Sequence, residues 1–473
     1  MNLADKIELF DGIDEKLIQE AMPRRLLKYG ASRNAPIYDS KNSVFAFIES
    51  VASVAIVALV VGGLFIWTLV GKDLLRVENS GDSESSVTSE QENVTSEQEN
   101  DDKPISAYSE GLELERNKRD DGYKVVGIGT CKDTVINIPP TYNGWPVTEI
   151  GVYAFKEQSN IVEVIIPNTV ESIENEAFRN CSSLEKVTIA DSVCKIGSYV
   201  FADCDSLTEI RIPEGLTYIE CMFSGCDALK TVELPSSLEA ISWKMFEDCI
   251  SLETIIIPNG VKRIETAAFE GCSLLKEITI PSSVLSIGPR AFENCVLLEK
   301  VTLNEGLEYI YDSAFARCGR LANFIIPKSV KHIESLAFFY CESLTEMTIP
   351  EGVTYFQPGA FNYCTNLKNL VINANIQTFS GSFLSCDNLE SITLGEGIKE
   401  IGGMTIYELT GLKKVVLPST ITYIGKSNFE KCDDLEIVYN GTVAQWQAIE
   451  KEFYDTINVK VPISCSDGVT YTK

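Results

Sequence analysis

Histidine is almost missing from this chain: His332 is the only one in 473 residues. Hydrolytic triads and dyads that use an imidazole base therefore have one candidate. It stands between Lys331 and Ile333 at a variable, outward place, where a solvated turn residue is expected. Structural and catalytic zinc sites need cysteine and histidine converging at ligand spacing, and no Cys-x-x-Cys occurs. No calcium loop of EF-hand type is present. Gly127-Ile128-Gly129 lacks the third glycine and the helix that a nucleotide loop requires. Positive charge is scarce too, with 40 Lys and Arg against 68 Asp and Glu and a net charge of −28. That excludes nucleic acid as a partner, since phosphate binding needs clustered cations. It also argues against tight docking on anionic lipid. No catalytic, cofactor or metal site is expected, and the chain reads as a non-enzyme.

What the chain has in quantity is repetition. A 23-residue phrase is cleanest from Gly260 to Ser282, GVKRIETAAFEGCSLLKEITIPS. It returns with Phe155, Phe178, Phe201, Phe223, Phe246, Phe269, Phe292, Phe315, Phe338, Phe361, Phe383 and Phe429, and Ile406 fills one vacant place to make thirteen copies. The steps ending at Phe223 and Phe383 are 22 residues, each losing one between the strand and the phenylalanine, where a turn can absorb it. A fixed period of this size means a solenoid. Within the phrase, Ile278 and Ile280 point inward and Thr279 outward, and Pro281 ends the strand. Ala268-Phe269 turns the chain back and fills the centre. Stacked copies then form columns of like side chains ~4.8 Å apart.

Eleven cysteines (181, 204, 226, 249, 272, 295, 318, 341, 364, 386 and 432) fall three places after the anchor. Neighbouring rungs are close enough for bridges in an oxidising compartment. Periodic placement favours the other reading, a column of small buried free thiols. Cys131, Cys194, Cys221 and Cys465 lie off this column. Departures are local: Gln158 and Leu409 replace the cysteine, and Ala190, Asn304, Asn373 and Gly395 replace the proline. The copy around Thr405-Ile406 is the most degenerate, and a local irregularity is expected there.

The pattern I-x-x-x-A-F-x-x-C-x-x-L-x-x-V-x-I-P is matched by Ile264, Ala268, Phe269, Cys272, Leu275, Ile278, Ile280 and Pro281. It resembles the BspA-type leucine-rich repeat family of bacterial and protozoan surface proteins. The lead-in at 144–151 (GWPVTEIG) and the closing stretches Tyr439-Asn440-Gly441-Thr442, Gln445-Trp446 and 464–468 resemble that family too. The resemblance implies a curved solenoid displayed on the cell surface for binding. It names no ligand, because the family shares a scaffold and not a site.

The expected organisation follows. Residues 1–43 form a short cytosolic segment whose Gly12 to Ala21 looks like the start of single-pass anti-sigma-type proteins; that likeness implies a signalling alternative with a ligand-sensing ectodomain. Residues 44–71 read as a transmembrane signal anchor, uncharged from Ser50 to Val70, with Glu49 and Trp67 at its boundaries. More basic residues precede the span than follow it, which places the N-terminus in the cytosol. Residues 72–110 are an acidic Ser/Glu-rich stalk carrying VTSEQEN twice in tandem, and this composition predicts disorder. Residues 111–146 read as an N-terminal cap with a hairpin turn at Asp120-Asp121-Gly122, 147–440 as the repeats and 441–473 as a C-terminal cap. In the latter, Thr442 caps a helix with Trp446, Ile449 and Phe453 on one face, followed by a hairpin through Asp467-Gly468.

The fold class is thus mainly β, a right-handed leucine-rich-repeat solenoid of about 13 coils after one membrane helix and a stalk. The function read from it is a membrane-anchored, cell-surface protein that binds an extracellular protein or glycan. Its candidate partner-binding face is the outward strand column, represented by Ile165, Arg211, Glu233, Ile256, Ile325, Val371, Val416 and Tyr439.

Overall fold

A computed structural model describes residues 108–432, 434–451 and 462–471, all within one unit spanning 101–473. The segment expected in the cytosol, the span expected at 50–70, nearly all of the expected stalk and Phe453 lie outside the described residues. Among the described residues no helix is long and apolar enough to cross a membrane.

Each repeat contributes one turn of a parallel β-solenoid. Glu277–Ile280 lies in register beside Lys300–Leu303, with Ile278 opposite Val301 and Ile280 opposite Leu303. The same pairing runs through Glu346–Ile349, Asn369–Ile372, Ser391–Leu394, Lys414–Leu417 and Glu436–Tyr439. This first ladder obeys the alternation in the sequence: Ile278 and Ile280 are buried, Glu277 and Thr279 exposed. A second ladder runs along another side and is built of two-residue strands. It includes Ala240–Ile241, Arg263–Ile264, Ser286–Ile287, Tyr309–Ile310, His332–Ile333 and Tyr355–Phe356. Ile264 and its equivalents are the inward members of these pairs.

Between the ladders lies the core. Ten phenylalanines, from Phe155 to Phe361, form one face-to-face stack whose centroids are 5.0 Å apart at its start and 5.4 Å at its end. Beside it, each column thiol from Cys181 to Cys386 donates to the carbonyl of the anchor phenylalanine one coil back, as from Cys272 to Phe246 at 3.2 Å. That carbonyl also accepts the backbone N–H of its own coil's cysteine, for example Cys249 to Phe246 at 3.1 Å. A thiol fits because it is small, apolar enough for a dry slot, and still donates weakly. Among the described residues, which include all fifteen cysteines, no disulfide forms, and Cys221 and Cys226 each point at a carbonyl and not at one another. Burial raises Cys181 and Cys386 to about 12 and drives Cys204, Cys249 and Cys272 well above the ordinary thiol range.

The two 22-residue steps have a definite consequence. Ile196 precedes Phe201 by five positions, but Ile219 precedes Phe223 by four, and Phe379 precedes Phe383 by four. The missing residue lies directly after the second ladder, and that ladder breaks at both places. No strand forms at 218–219, and Tyr355–Phe356 does not pair with Thr378–Phe379. Both ladders pass through the degenerate copy unbroken, and its expected irregularity is confined to the turn at 407–408. Ile406 is buried, and buried Asn428 holds its turn. The Asn428 side chain accepts from the Ile406 N–H at 2.9 Å and donates to the Gly402 and Gly425 carbonyls at 2.8 Å each. The ring stack ends earlier: Phe383 is tilted 41° against Phe379 at 6.1 Å.

Both ends are covered. Glu113–Arg116 and Tyr123–Gly127 form an antiparallel hairpin on the first rung of the second ladder. Ser109 closes the edge strand Val135–Asn137 through its backbone N–H and its hydroxyl. At the far end, Pro462–Cys465 and Gly468–Tyr471 make the hairpin that finishes the first ladder. The helix Val443–Ala448 starts in a capping box between Thr442 and Gln445 and buries Trp446.

Candidate functional site: two outer faces

The outward column of the first ladder holds most of the residues expected there. Ile165, Val371 and Val416 are half-buried, flanked by neighbours above and below. Arg211 and Glu233 are exposed; the Arg211 guanidinium lies 2.8 Å from Asp191 and 4.0 Å from Glu233. Ile256 and Ile325 are 85% and 82% exposed, the most exposed of the large apolar side chains described. Both stand where the ladder lapses. No strand forms at 252–258, and at Asn323 only one isolated bridge to Lys300 remains. The second lapse coincides with a change in the core. Phe324 occupies an inward place that holds Ile278, Val301 or Met347 in nearby coils. Its ring meets Phe315 and Phe338 edge-on at 4.9 Å each, and those two stacked rings stand 5.9 Å apart against 5.2 Å for Phe292 and Phe315. Nothing in the structure explains the lapse at Ile256.

Tyr439 is the exception and corrects the expectation. It is buried, and Val438 faces outward in its place. Two residues, Lys413 and Lys414, separate Leu412 from Val415, whereas Glu436 alone separates Leu435 from Ile437. Losing one residue reverses the parity of a strand, so each side chain changes face. The Tyr439 ring then packs against Trp446 at 5.5 Å and its hydroxyl donates to the Ser419 carbonyl at 3.3 Å. Gly441 makes room: a Cβ there would come within 2.5 Å of that ring.

The second ladder presents a face that the sequence reading missed. Tyr309, His332 and Tyr355 occupy one outward column on three consecutive coils. Their ring centroids are 4.9 and 5.3 Å apart, and Tyr311 stacks on Tyr309 at 5.9 Å. His332 is therefore not a solvated turn residue. It sits on a strand, half-buried, between two phenol rings. The signal was present as tyrosine, histidine and tyrosine six places before Phe315, Phe338 and Phe361. Gln357 donates to the Tyr355 hydroxyl and accepts from the Ser335 hydroxyl at 2.6 Å, and Lys331 pairs with Glu308 at 2.7 Å beside the column. His332 is tilted by 30° and 34° against its two neighbouring rings, so the three form one aromatic row on the outside of the second ladder. Among the described residues, no group of three or more His, Cys, Asp and Glu is placed to hold a metal.

Parallel rungs of one repeat each, an L-x-x-I-x-I inner strand and a shared core make this a leucine-rich-repeat solenoid, a class built to carry binding faces. The family description "BspA type Leucine rich repeat region" matches residues 148–276, 272–382, 308–436 and 380–462. The chain belongs to that family. A leucine rich cell surface protein from Faecalibacterium prausnitzii A2-165 is 31% identical, over 73% of this chain and 98% of its own, with a TM-score of 0.46. A leucine-rich repeat protein from Bacteroides ovatus ATCC 8483 is 26% identical, over 75% of this chain and 98% of its own, with a TM-score of 0.52. No match was found among curated proteins.

Proposed function

We propose that this chain is a single-pass cell-surface scaffold that binds an extracellular protein or glycan and performs no catalysis. Residues 50–70 span the membrane, 1–43 remain in the cytosol, the acidic stalk lifts the repeats outward, and the capped solenoid meets the partner. The observation that carries the reading is the outward position of Ile256 and Ile325, 85% and 82% exposed on the outer column of the first ladder. The likeness to a leucine rich cell surface protein supports the location, and the net charge of −28 supports a soluble displayed surface that repels nucleic acid. The test uses intact cells displaying the full chain. Added protease should remove the repeats while leaving 1–43 inside, and cells with the chain should bind a matrix protein or glycan that cells without it do not. Ile256→Asp with Ile325→Asp should weaken that binding. Equal binding with and without the chain sinks the proposal.

A further inference from the structure

A second feature of the first ladder points to what one part of the surface recognises. Where the strand leaves the ladder, most coils turn on proline, but two neighbouring coils carry Asn373 and Gly395 there. Asn373-Ala374-Asn375 runs extended, with Ala374 buried and both amides exposed. Gly395 sits directly against Asn373; a Cβ on it would lie 3.0 Å from the Asn373 Cα. The result is a concavity of ≈ 670 Å³ whose wall includes Thr348 and Pro350.

Its charges are already answered inside the protein. Lys328 faces Glu351 at 3.7 Å, and the Glu396 carboxylate accepts from the Ser419 N–H and hydroxyl at 3.2 and 3.1 Å. The side chains of Thr348, Asn373 and Asn375 have no partner among the described residues, so two amides and a hydroxyl remain open. Each of these groups both donates and accepts. Asn304 supplies the contrast. It too replaces the proline, but its amide donates to the Ile280 carbonyl at 2.9 Å and is thereby taken up inside the protein.

From this arrangement we infer that the cavity is a binding site for a neutral sugar unit of a glycan. A sugar hydroxyl gives and takes hydrogen bonds as these groups do, and a neutral ligand leaves the internal ion pairs undisturbed. An anionic ligand would meet Glu351 and Glu396, and a hydrophobic one would bury unpaired amides at a cost. The inference rests on the reading of the chain as a surface binding scaffold and names the ligand class for one part of it.

The test uses the purified full chain in detergent against immobilised dextran, mannan, galactan and xylan, with heparin as the charged reference. The chain should be retained by at least one neutral polysaccharide. Asn373→Ala with Asn375→Ala should weaken that retention ~10-fold or more, the loss of two hydrogen-bonding amides, without lowering the melting temperature. Asn304→Ala should leave it intact. Retention by heparin alone, by none of the five, or equally by the double variant overturns the site. If cells displaying the chain still bind a matrix protein in that case, only the sugar site fails. Sugar retention by the purified chain with no effect of display on cell binding would instead sink the surface-scaffold reading.

Discussion

Two residues after the anchor, every coil enters the left-handed backbone region, but different residues carry it in the two halves of the solenoid. From the second coil the position is held by Asn180, Asp203, Gly225, Asp248, Gly271 and Asn294, at φ between 57° and 78°. These are the types that tolerate that region. Beyond them stand Arg317, Tyr340, Tyr363, Ser385, Glu408 and Lys431, at φ between 56° and 63°. The backbone is the same, yet each of these is costlier there by about 1 kcal/mol. Part of the cost is offset outside the chain's own turn. Tyr340 stacks on Tyr363 at 4.5 Å, Arg317 lies 5.5 Å over the Tyr340 ring, and Lys431 pairs with Glu408 at 2.9 Å. One place earlier the contrast repeats, with Glu247, Glu270 and Glu293 in the first half and Ala316, Phe339 and Asn362 in the second. Core columns dictate the fold in both halves; at this one corner, from the second coil on, only the second half carries bulky side chains that a turn alone would not select, although the corner two places before the anchor accepts Tyr199, Lys244 and Arg290 in the first half.

The largest expected effect tests what the halves share. Native full-length chain treated with a thiol-alkylating reagent should be modified first at exposed Cys194, while the buried column stays protected. Thiols raised to about 12, such as Cys181 and Cys386, should react about a thousandfold more slowly than an ordinary cysteine from the loss of thiolate alone. Unfolding without reductant should expose all eleven column thiols. Mass spectrometry that finds them bridged, or labelled as fast as Cys194 in native protein, would break the shared-core half of the comparison.

Next comes the ring stack. Phe269→Ala, in the middle of the stack, should cost about 3–5 kcal/mol by denaturant unfolding. Phe383→Ala should cost less, since that ring has left the stack and is 7% exposed. Equal losses would mean that stacking adds nothing to burial.

Much of this was readable in the chain. The period placed the phenylalanine, cysteine and leucine columns, and Ile278-Thr279-Ile280 showed which face of the first ladder is buried. Thr442 announced the start of the closing helix and Asp467-Gly468 the hairpin, although the helix ends at Ala448 and leaves Ile449 extended beyond it. Other features were hidden for physical reasons. Strands of two residues, such as Arg263–Ile264, are too short for alternation to register, so the second ladder and its Tyr309, His332 and Tyr355 column went unseen. Tyr439 was misplaced because the anchor-to-anchor spacing from Ile406 to Phe429 stays at 23 while a residue is lost after Leu435. Parity is set locally, beyond the reach of an averaged period.

A smaller effect separates the halves by charge. Stacking places Glu270 between Glu247 and Glu293. Burial pushes its carboxyl up to about 7, against the pull of Arg290 at 2.9 Å, with both neighbouring glutamates adding to the rise. A folded-state value above the unfolded 4.5 means that its stabilising contribution is complete below that pH and is lost as pH rises through about 7. Glu270→Gln should therefore narrow the stability difference between about pH 5 and about pH 8 by about 1–3 kcal/mol. Glu408→Gln, at an exposed partner of Lys431, should change stability far less. Matching pH profiles for the two variants would remove the distinction.

The finest test exchanges residues at the left-handed corner itself. Ser385→Asn should stabilise by about 0.5–1 kcal/mol, because asparagine tolerates this backbone and Ser385 offers no ring to lose. Asn294→Arg, importing the residue of the next coil, should cost about 1 kcal/mol. Tyr340→Asn is the sharpest of the three. Relief of the backbone and loss of the 4.5 Å stack with Tyr363 act in opposite directions and are of similar size, so melting should shift little. If Tyr340→Asn stabilises as much as Ser385→Asn, the rings contribute nothing to the fold. The aromatic corner would then be kept at a net cost in stability, as expected for residues retained to touch something outside the chain.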